Sequence, residues 1–236
     1  MNEMRLFEMV LPVLVPVLVG WLAVRFRLLA TDDARALTSA FLYIFLPALI
    51  IGHLVRQNLA ALFDLRFIAA TVTLMLGLYI FILLLHRLLM RRSLASSVMA
   101  AFGASKFNAV VVGLPLLLIA IGPQAIDAVI INMLIGYFTI LPLTLFQLEV
   151  AKGRESGKSA GHAAILGRAL RHTILDPLIL ATLAGLAIAA ARVGLPEWLD
   201  QTLLTLGNAA VPVPLVAVGM AISGVSFQED IGEMVK

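Results

Sequence analysis

The chain has 236 residues, of which 61% are hydrophobic and 13% are charged, and it contains no cysteine. Soluble proteins carry roughly 25% charged residues, so there are too few polar side chains here to cover a soluble domain. The absence of cysteine excludes disulfide scaffolds, iron–sulfur clusters and thiolate zinc sites. The net charge of +3 does not indicate a nucleic-acid partner, because the basic residues lie in short tracts between apolar runs. The composition predicts an all-α integral membrane protein.

Seven apolar runs are long enough to cross a hydrocarbon core of about 30 Å. In chain order they cover residues 6–24, 36–55, 67–85, 94–122, 128–148, 174–191 and 201–227. Backbone groups in lipid must be satisfied within each segment, so we expect every run to be helical.

Basic residues are distributed unequally between the two sets of connections. Twelve lie after runs 1, 3 and 5 and in the C-terminal tail, whereas four lie on the opposite side: Arg5, Arg56, Arg66 and Arg192. Cytoplasmic loops carry the excess of lysine and arginine. We therefore expect an outside N-terminus and a cytoplasmic C-terminal tail.

Prolines and glycines of the first two runs recur 165 residues later. Without a gap, the matched pairs are Pro12 with Pro177, Gly20 with Gly185, and Pro47 with Pro212. Five helices separate the two copies, so the copies enter the membrane from opposite sides, as in many secondary transporters. The pattern predicts a first five-helix repeat over 1–150, a basic cytoplasmic linker over 151–172, and the first two helices of an incomplete second repeat over 173–236.

The fourth run is too long for one straight membrane helix and holds unusual residues. Its 29 residues would extend about 43 Å. Gly113 and Pro115 predict an interruption, and Lys106 and Asn108 stand beside it. Broken helices line ligand cavities at the membrane midplane, although a proline kink with only a packing role is the alternative. For Lys106, the alternatives to a cavity cation are an ammonium that reaches the headgroups or one that pairs with Asp176.

The motifs resemble those of the auxin efflux carrier family, which includes bacterial malonate-type permeases and plant PIN-like exporters. The similar segments are Phe107-Asn108, Gly113-Leu114-Pro115-Leu116, Leu46-Pro47-Ala48-Leu49, Asp176-Pro177-Leu178 and Pro212-Val213-Pro214-Leu215. The resemblance implies ten helices in two inverted five-helix units, with helices 4 and 9 broken and crossing at the substrate site. This chain would supply the first seven helices of a protein of roughly 310–320 residues, and the second crossover would lie near position 280.

The resemblance further implies a permease of the bacterial inner membrane that moves small organic anions such as malonate without ATP or a bound cofactor. Coupling to protons or another ion is the expected energy source. Lys106 departs from the apolar or small residues typical of the family at that position. Association of two copies into a homodimer is a further hypothesis.

Six residues are the predicted substrate-binding set: Lys106, Asn108, Gly113, Pro115, Asn132 and Asn208. The polar groups of Asn132, Asn208 and Tyr137 could equally form hydrogen bonds between helices. His53 is a candidate proton relay. The four histidines lack the H-E-x-x-H spacing of a zinc site, and no serine triad or carboxylate pair indicates an enzyme.

Two other functions fit the same chain. A seven-helix sensor or receptor with an outside N-terminus would be complete as it stands. A truncated remnant of a transporter would fold without transporting. The 165-residue repeat and the long fourth run favour the transporter.

Overall fold

The computed structural model describes residues 3–57, 64–106, 110, 113–156, 167 and 175–224. In this part of the chain all regular structure is helical. Eleven α-helices are numbered α1 to α11 in chain order: Glu3–Arg25, Asp33–Ala40, Leu46–Arg56, Leu65–Leu84, Leu94–Ser105, Leu114–Ile121, Gln124–Ile135, Leu141–Ser156, Pro177–Ala191, Glu197–Ala209 and Pro212–Ser223. Three π-helical segments accompany them: Phe41–Phe45, Leu85–Leu89 and Gly136–Ile140.

Among the described residues, four helical stretches are long and apolar enough to cross a membrane. They are Asp33–Arg56, Leu65–Leu89, Gln124–Gly153 and Glu197–Ser223. Three shorter apolar helices cover Leu11–Arg25, Leu94–Ser105 and Pro177–Ala191. The all-helical membrane fold is confirmed, while the number of seven spans remains a prediction.

Prolines explain where two of the π-helical segments occur. Pro47 and Pro142 stand directly after Phe41–Phe45 and Gly136–Ile140, each at the second position of the following α-helix. A proline lacks the N–H that would bond to the carbonyl four residues earlier, and its ring crowds that carbonyl. The widened turn lets the helix continue past the proline, so the chain from Gln124 to Ser156 stays helical.

The fourth apolar run is divided, as the sequence predicts. Helix α5 ends at Ser105, and Lys106 follows with φ −99° and ψ 71°, outside the helical region. Helix α6 starts at Leu114 with Pro115 in its first turn, where a proline N–H is not needed. Residues 107–109, 111 and 112 lie outside the described part.

The ends of two helices bear on the predicted segments, whose bounds stay a prediction. Helix α8 continues to Ser156, so it includes the first six residues of the segment 151–172 that the sequence predicts as a linker. Lysine, arginine and glutamate have good helix propensity, so the helix extends beyond its apolar part. The seventh run is divided, because α10 ends at Ala209 and α11 begins at Pro212.

The helices pack in two groups. The first helix group consists of α1, α2, α3, α9, α10 and α11, in which α1 packs on α11 and α3 packs on both α9 and α10. The second helix group consists of α4, α5, α7 and α8, in which α5 contacts α4 and α8. Helix α6 contacts α1 of the first group and α7 of the second.

An apolar core joins the two groups. It combines buried side chains of the first group with those of α6 and α7: Phe41, Leu46, Ile50, Leu54, Leu178, Ala181 and Ala210 against Leu114, Ile126, Val129, Ile130 and Met133. A second core lies within the second group and is built on Met75, Tyr79, Ala101, Ile131, Ile135 and Ile140. Helix α7 therefore contributes side chains to both cores.

Glycines allow α1 and α11 to approach closely. A Cβ atom at Gly20 would meet the backbone carbonyl of Val216, and one at Gly219 would meet the carbonyl of Val17. Small residues at such contacts let helix backbones touch, which is how membrane helices gain packing energy without a hydrophobic driving force. The two glycines therefore set the separation of these helices.

We predict that Gly20→Ala and Gly219→Ala each destabilise the fold by about 1–3 kcal/mol, since each methyl group forces two backbones apart. Gly77→Ala is the matched control, because a Cβ there would meet nothing within 4 Å. The measurement is the temperature at which each variant loses its monodisperse peak in detergent. Equal temperatures for all three variants would contradict the packing argument.

Candidate polar site at the broken helix

Lys106 lies at the end of the interrupted helix, with its ammonium group against aromatic rings. Its backbone N–H donates to the Phe102 carbonyl at 2.9 Å and closes the last turn of α5. The Nζ atom lies 4.7 Å from the centre of the Tyr137 ring and 5.5 Å from that of Phe102. A cation over an aromatic face is attracted by the ring quadrupole, which is worth about 0.5–2 kcal/mol. The two rings therefore position the ammonium group.

Tyr137 in turn is held by Asp176. Its hydroxyl donates to the Asp176 Oδ2 atom at 2.8 Å. The Oδ1 atom accepts from the Leu178 N–H at 2.9 Å, which makes Asp176 the N-cap of α9. A side-chain acceptor there satisfies a backbone donor that has no partner within the helix. Lys106, Tyr137 and Asp176 therefore form a chain of contacts from α5, through the π-helical turn, to α9.

The ammonium group keeps capacity for a further partner. The Lys106 side chain is exposed, and an ammonium has three N–H donors that a ring face does not satisfy. Among described residues, no carboxylate forms an ion pair with it within 4.0 Å. Asp176 acts on it through longer-range attraction. An exposed ammonium can chemically donate hydrogen bonds to an anion, whereas the Tyr137 hydroxyl already donates to Asp176.

The fourth run holds three other predicted substrate-binding residues: Asn108, Gly113 and Pro115. Asn108 lies outside the described residues. Gly113 directly precedes α6 with φ −67° and ψ −44°, and Pro115 is buried in the first turn of that helix. Both take part in restarting the helix after the break, and their role in substrate binding stays a prediction.

The two remaining predicted residues point elsewhere. The Asn132 amide donates to the Met75 sulfur atom at 3.6 Å, so it links α7 to α4. Asn208 lines a separate cavity of about 260 Å³. The structure does not bring either residue into contact with Lys106.

The cavity beside Asn208 lies among α3, α7 and α10 and is lined by charged as well as apolar groups. Its principal lining residues are Leu49, Gly52, His53, Arg56, Ile126, Leu203 and Asn208. His53 contacts Asp127 through an Nε2–Oδ1 distance of 2.8 Å. Arg56 forms an ion pair with Asp200. The sequence singled out His53, but its partner Asp127 was not predicted.

Comparison with known proteins identifies the family. Residues 5–232 match the membrane transport protein family. The chain belongs to this family, which is the auxin efflux carrier family. The match covers almost the whole chain and confirms the resemblance seen in the motifs.

Curated relatives with the same name occur in three enterobacteria. The uncharacterized transporter YfdV of Escherichia coli K12 is 23% identical over 222 residues, which cover 92% of this chain and 69% of the relative. The proteins of Escherichia coli O157:H7 and Shigella flexneri match with the same identity and coverage. Family and relatives are membrane transporters, so they favour transport over the receptor alternative.

We predict that Tyr137→Phe lowers the free energy of unfolding by about 0.5–2 kcal/mol, because it leaves the ring beneath Lys106 but removes the hydrogen bond to Asp176. Tyr43→Phe is the matched control, since the Tyr43 side chain is 66% exposed. The measurement is thermal unfolding in detergent. A Tyr137→Phe variant as stable as the control would remove this bond from the structural argument.

Proposed function

We propose that this chain is a secondary transporter for a small organic anion, and that Lys106 binds the carboxylate of the substrate. The observation that carries the proposal is the contact geometry of Lys106. Its ammonium is held by two aromatic rings at the end of a broken membrane helix, and it forms no ion pair with a carboxylate of the described residues. A charged group within a membrane segment costs about 2.5–3.5 kcal/mol on insertion scales, so a functional use is the default reading.

The second part of the proposal is an inverted repeat of the helices. Gly20 of α1 lies against Val216 and Met220 of α11, whereas Gly185 of α9 lies against Ile51 and Leu54 of α3. Gly20 and Gly185 are 165 residues apart, and so are Ile51 and Val216. The same glycine contact therefore occurs at both places in the register of the sequence repeat, which supports two related units over 1–150 and from position 173 onward.

Proline positions support the same relationship. Pro47 follows the π-helical segment between α2 and α3, and Pro212 follows the break between α10 and α11. The helical path from α2 to α3 and the path from α10 to α11 are therefore both interrupted near prolines that lie 165 residues apart. In an inverted-repeat transporter, we expect the two copies to lie on opposite sides of the midplane.

Alternating access is the mechanism that we propose for the two helix groups. Their joint core is apolar, so one group can move against the other without breaking a large polar network. Tyr137, which lies between α7 and α8 of the second group, and Asp176, which directly precedes α9 of the first, would separate or rejoin in such a movement. The family's ten-helix architecture, with a second broken helix, would complete the substrate site.

We propose malonate or a similar small carboxylate as the substrate. A carboxylate can accept the free N–H donors of Lys106 in charge-assisted hydrogen bonds, the stronger kind of hydrogen bond. The Tyr137 hydroxyl would donate to the second oxygen when it leaves Asp176. Orientation with the N-terminus outside, in the bacterial inner membrane, completes the proposal.

We expect Lys106→Gln to weaken binding of labelled malonate by at least about tenfold, since removal of a charged partner costs on the order of 1.5–3 kcal/mol. Lys106→Arg should retain more affinity because it keeps the charge. Equilibrium dialysis in detergent measures binding without requiring a complete transport cycle. Arg192→Gln, which changes an exposed arginine beyond the C-terminal end of α9, is the control with matched charge.

If the parent binds malonate and Lys106→Gln binds it with the same affinity, then the anion does not bind at Lys106. Absence of binding in the parent would contradict the proposal that Lys106 of this chain binds malonate. Succinate and an indole carboxylate would then be tested in the same dialysis format.

We expect Asp176→Asn to raise malonate affinity by a few-fold. The amide oxygen can still accept from the Leu178 N–H and cap α9, while the negative charge that competes for Lys106 is gone. Dialysis of the parent and this variant gives the ratio. Lower affinity in the variant would mean that the Asp176 charge assists substrate binding rather than opposing it.

A further inference from the structure

A second polar contact, which does not involve Lys106, joins the two helix groups. The His53 Nε2 atom of α3 lies 2.8 Å from the Asp127 Oδ1 atom of α7. Helix α3 belongs to the first helix group and α7 to the second. The His53 side chain is 9% exposed and that of Asp127 is 24% exposed. A titratable pair is therefore largely buried at the boundary between the groups.

Among the described residues that line the cavity beside this pair, the charged neighbour of His53 is Arg56, which has its own partner. From α3, Arg56 donates to the Gly52 carbonyl at 2.8 Å and forms an ion pair with Asp200 of α10. Gln57 is an uncharged neighbour whose Nε2 lies 3.3 Å from the His53 Nε2. With Arg56 neutralised by Asp200, the His53–Asp127 pair carries one negative charge when the imidazole is neutral. Uptake of one proton makes the pair neutral overall.

The pair has a route to water. His53 lines the cavity of about 260 Å³ together with Arg56 and Asn208. A cavity with several polar groups and room for more than one water molecule can hold water. Protons can therefore reach the imidazole from this cavity without crossing the apolar core between the groups.

We propose that the His53–Asp127 pair is the proton-binding site of this chain, and that its protonation holds α3 against α7. The inference rests on the proposed transport function, for which it supplies the coupling ion. A protonated imidazole donates a charge-assisted hydrogen bond to the carboxylate, and this bond is stronger than the one that a neutral imidazole makes. A neutral pair also costs less to keep within a membrane segment than a pair with net charge.

The movement of the pair follows from its two charge states. With the proton bound, the two helix groups are held together beside the cavity. After the proton leaves, the remaining hydrogen bond is weaker and the carboxylate gains by contact with water. The groups then separate more readily at this point, and the cavity opens.

Thiol labelling can test the proposal, because the chain has no cysteine of its own. Asn208→Cys places a single thiol in the cavity. Its rate of reaction with a membrane-impermeant maleimide is measured in liposomes at about pH 5.5 and about pH 8, on either side of the ordinary histidine range. The same reporter in a His53→Gln background corrects for the intrinsic pH dependence of the thiol.

We expect the corrected rate to be at least about threefold lower at the acid pH than at the alkaline pH, because the proton closes the cavity. Asp127→Asn should remove this difference, since an amide cannot form the ion pair. His86→Gln, which changes a histidine in the π-helical segment after α4, is the matched control and should keep it.

A double variant tests whether the loss of pH dependence in Asp127→Asn is caused by misfolding. His53→Asp together with Asp127→His restores the same two groups in exchanged positions and should recover the pH dependence that Asp127→Asn loses. A corrected rate that is independent of pH in the parent would overturn the proposal, as would loss of the difference in His86→Gln. No substrate is present in this experiment, so its outcome is independent of the malonate binding that tests the transport function.

Discussion

A positive charge at the end of a broken membrane helix is the constraint on which the proposed site depends. Lys106 follows the last residue of α5, and placing its ammonium in lipid would cost about 2.5–3.5 kcal/mol on insertion scales. Two aromatic rings hold it, and one of them, Tyr137, is fixed by a hydrogen bond to Asp176. Asp176 also caps α9. A single cation therefore relates three helical elements, and we propose that its N–H donors bind the substrate anion.

The two helix groups meet across an apolar core that is supplemented by polar contacts. Apolar side chains can slide or repack at small cost, whereas a hydrogen bond is either made or broken. Tyr137–Asp176 and His53–Asp127 both connect the first helix group to the second. We propose that these contacts give the movement between the groups discrete end states, one sensitive to the bound anion and the other to a proton.

Local features of the sequence predict the fold well, and distant contacts explain what it misses. Gly113, Pro115 and Lys106 mark the helix break within one run of residues, so the interruption could be predicted there. Tyr137 and Asp176 are 39 residues apart, and His53 and Asp127 are 74 residues apart. The periodicity of apolar residues in one helix does not show which residues of another helix will contact it. Asn132 was selected as a polar residue in an apolar run, but its amide faces Met75.

A crystal structure with bromomalonate would test the central claim most directly. The anomalous signal of bromine distinguishes the ligand from water and buffer molecules. We predict a peak beside the Lys106 ammonium and the Tyr137 hydroxyl, with the carboxylate within about 3 Å of Nζ, the length of a charge-assisted hydrogen bond. A peak confined to the cavity of Arg56 and Asn208, with none beside Lys106, would contradict the claim that Lys106 binds the substrate.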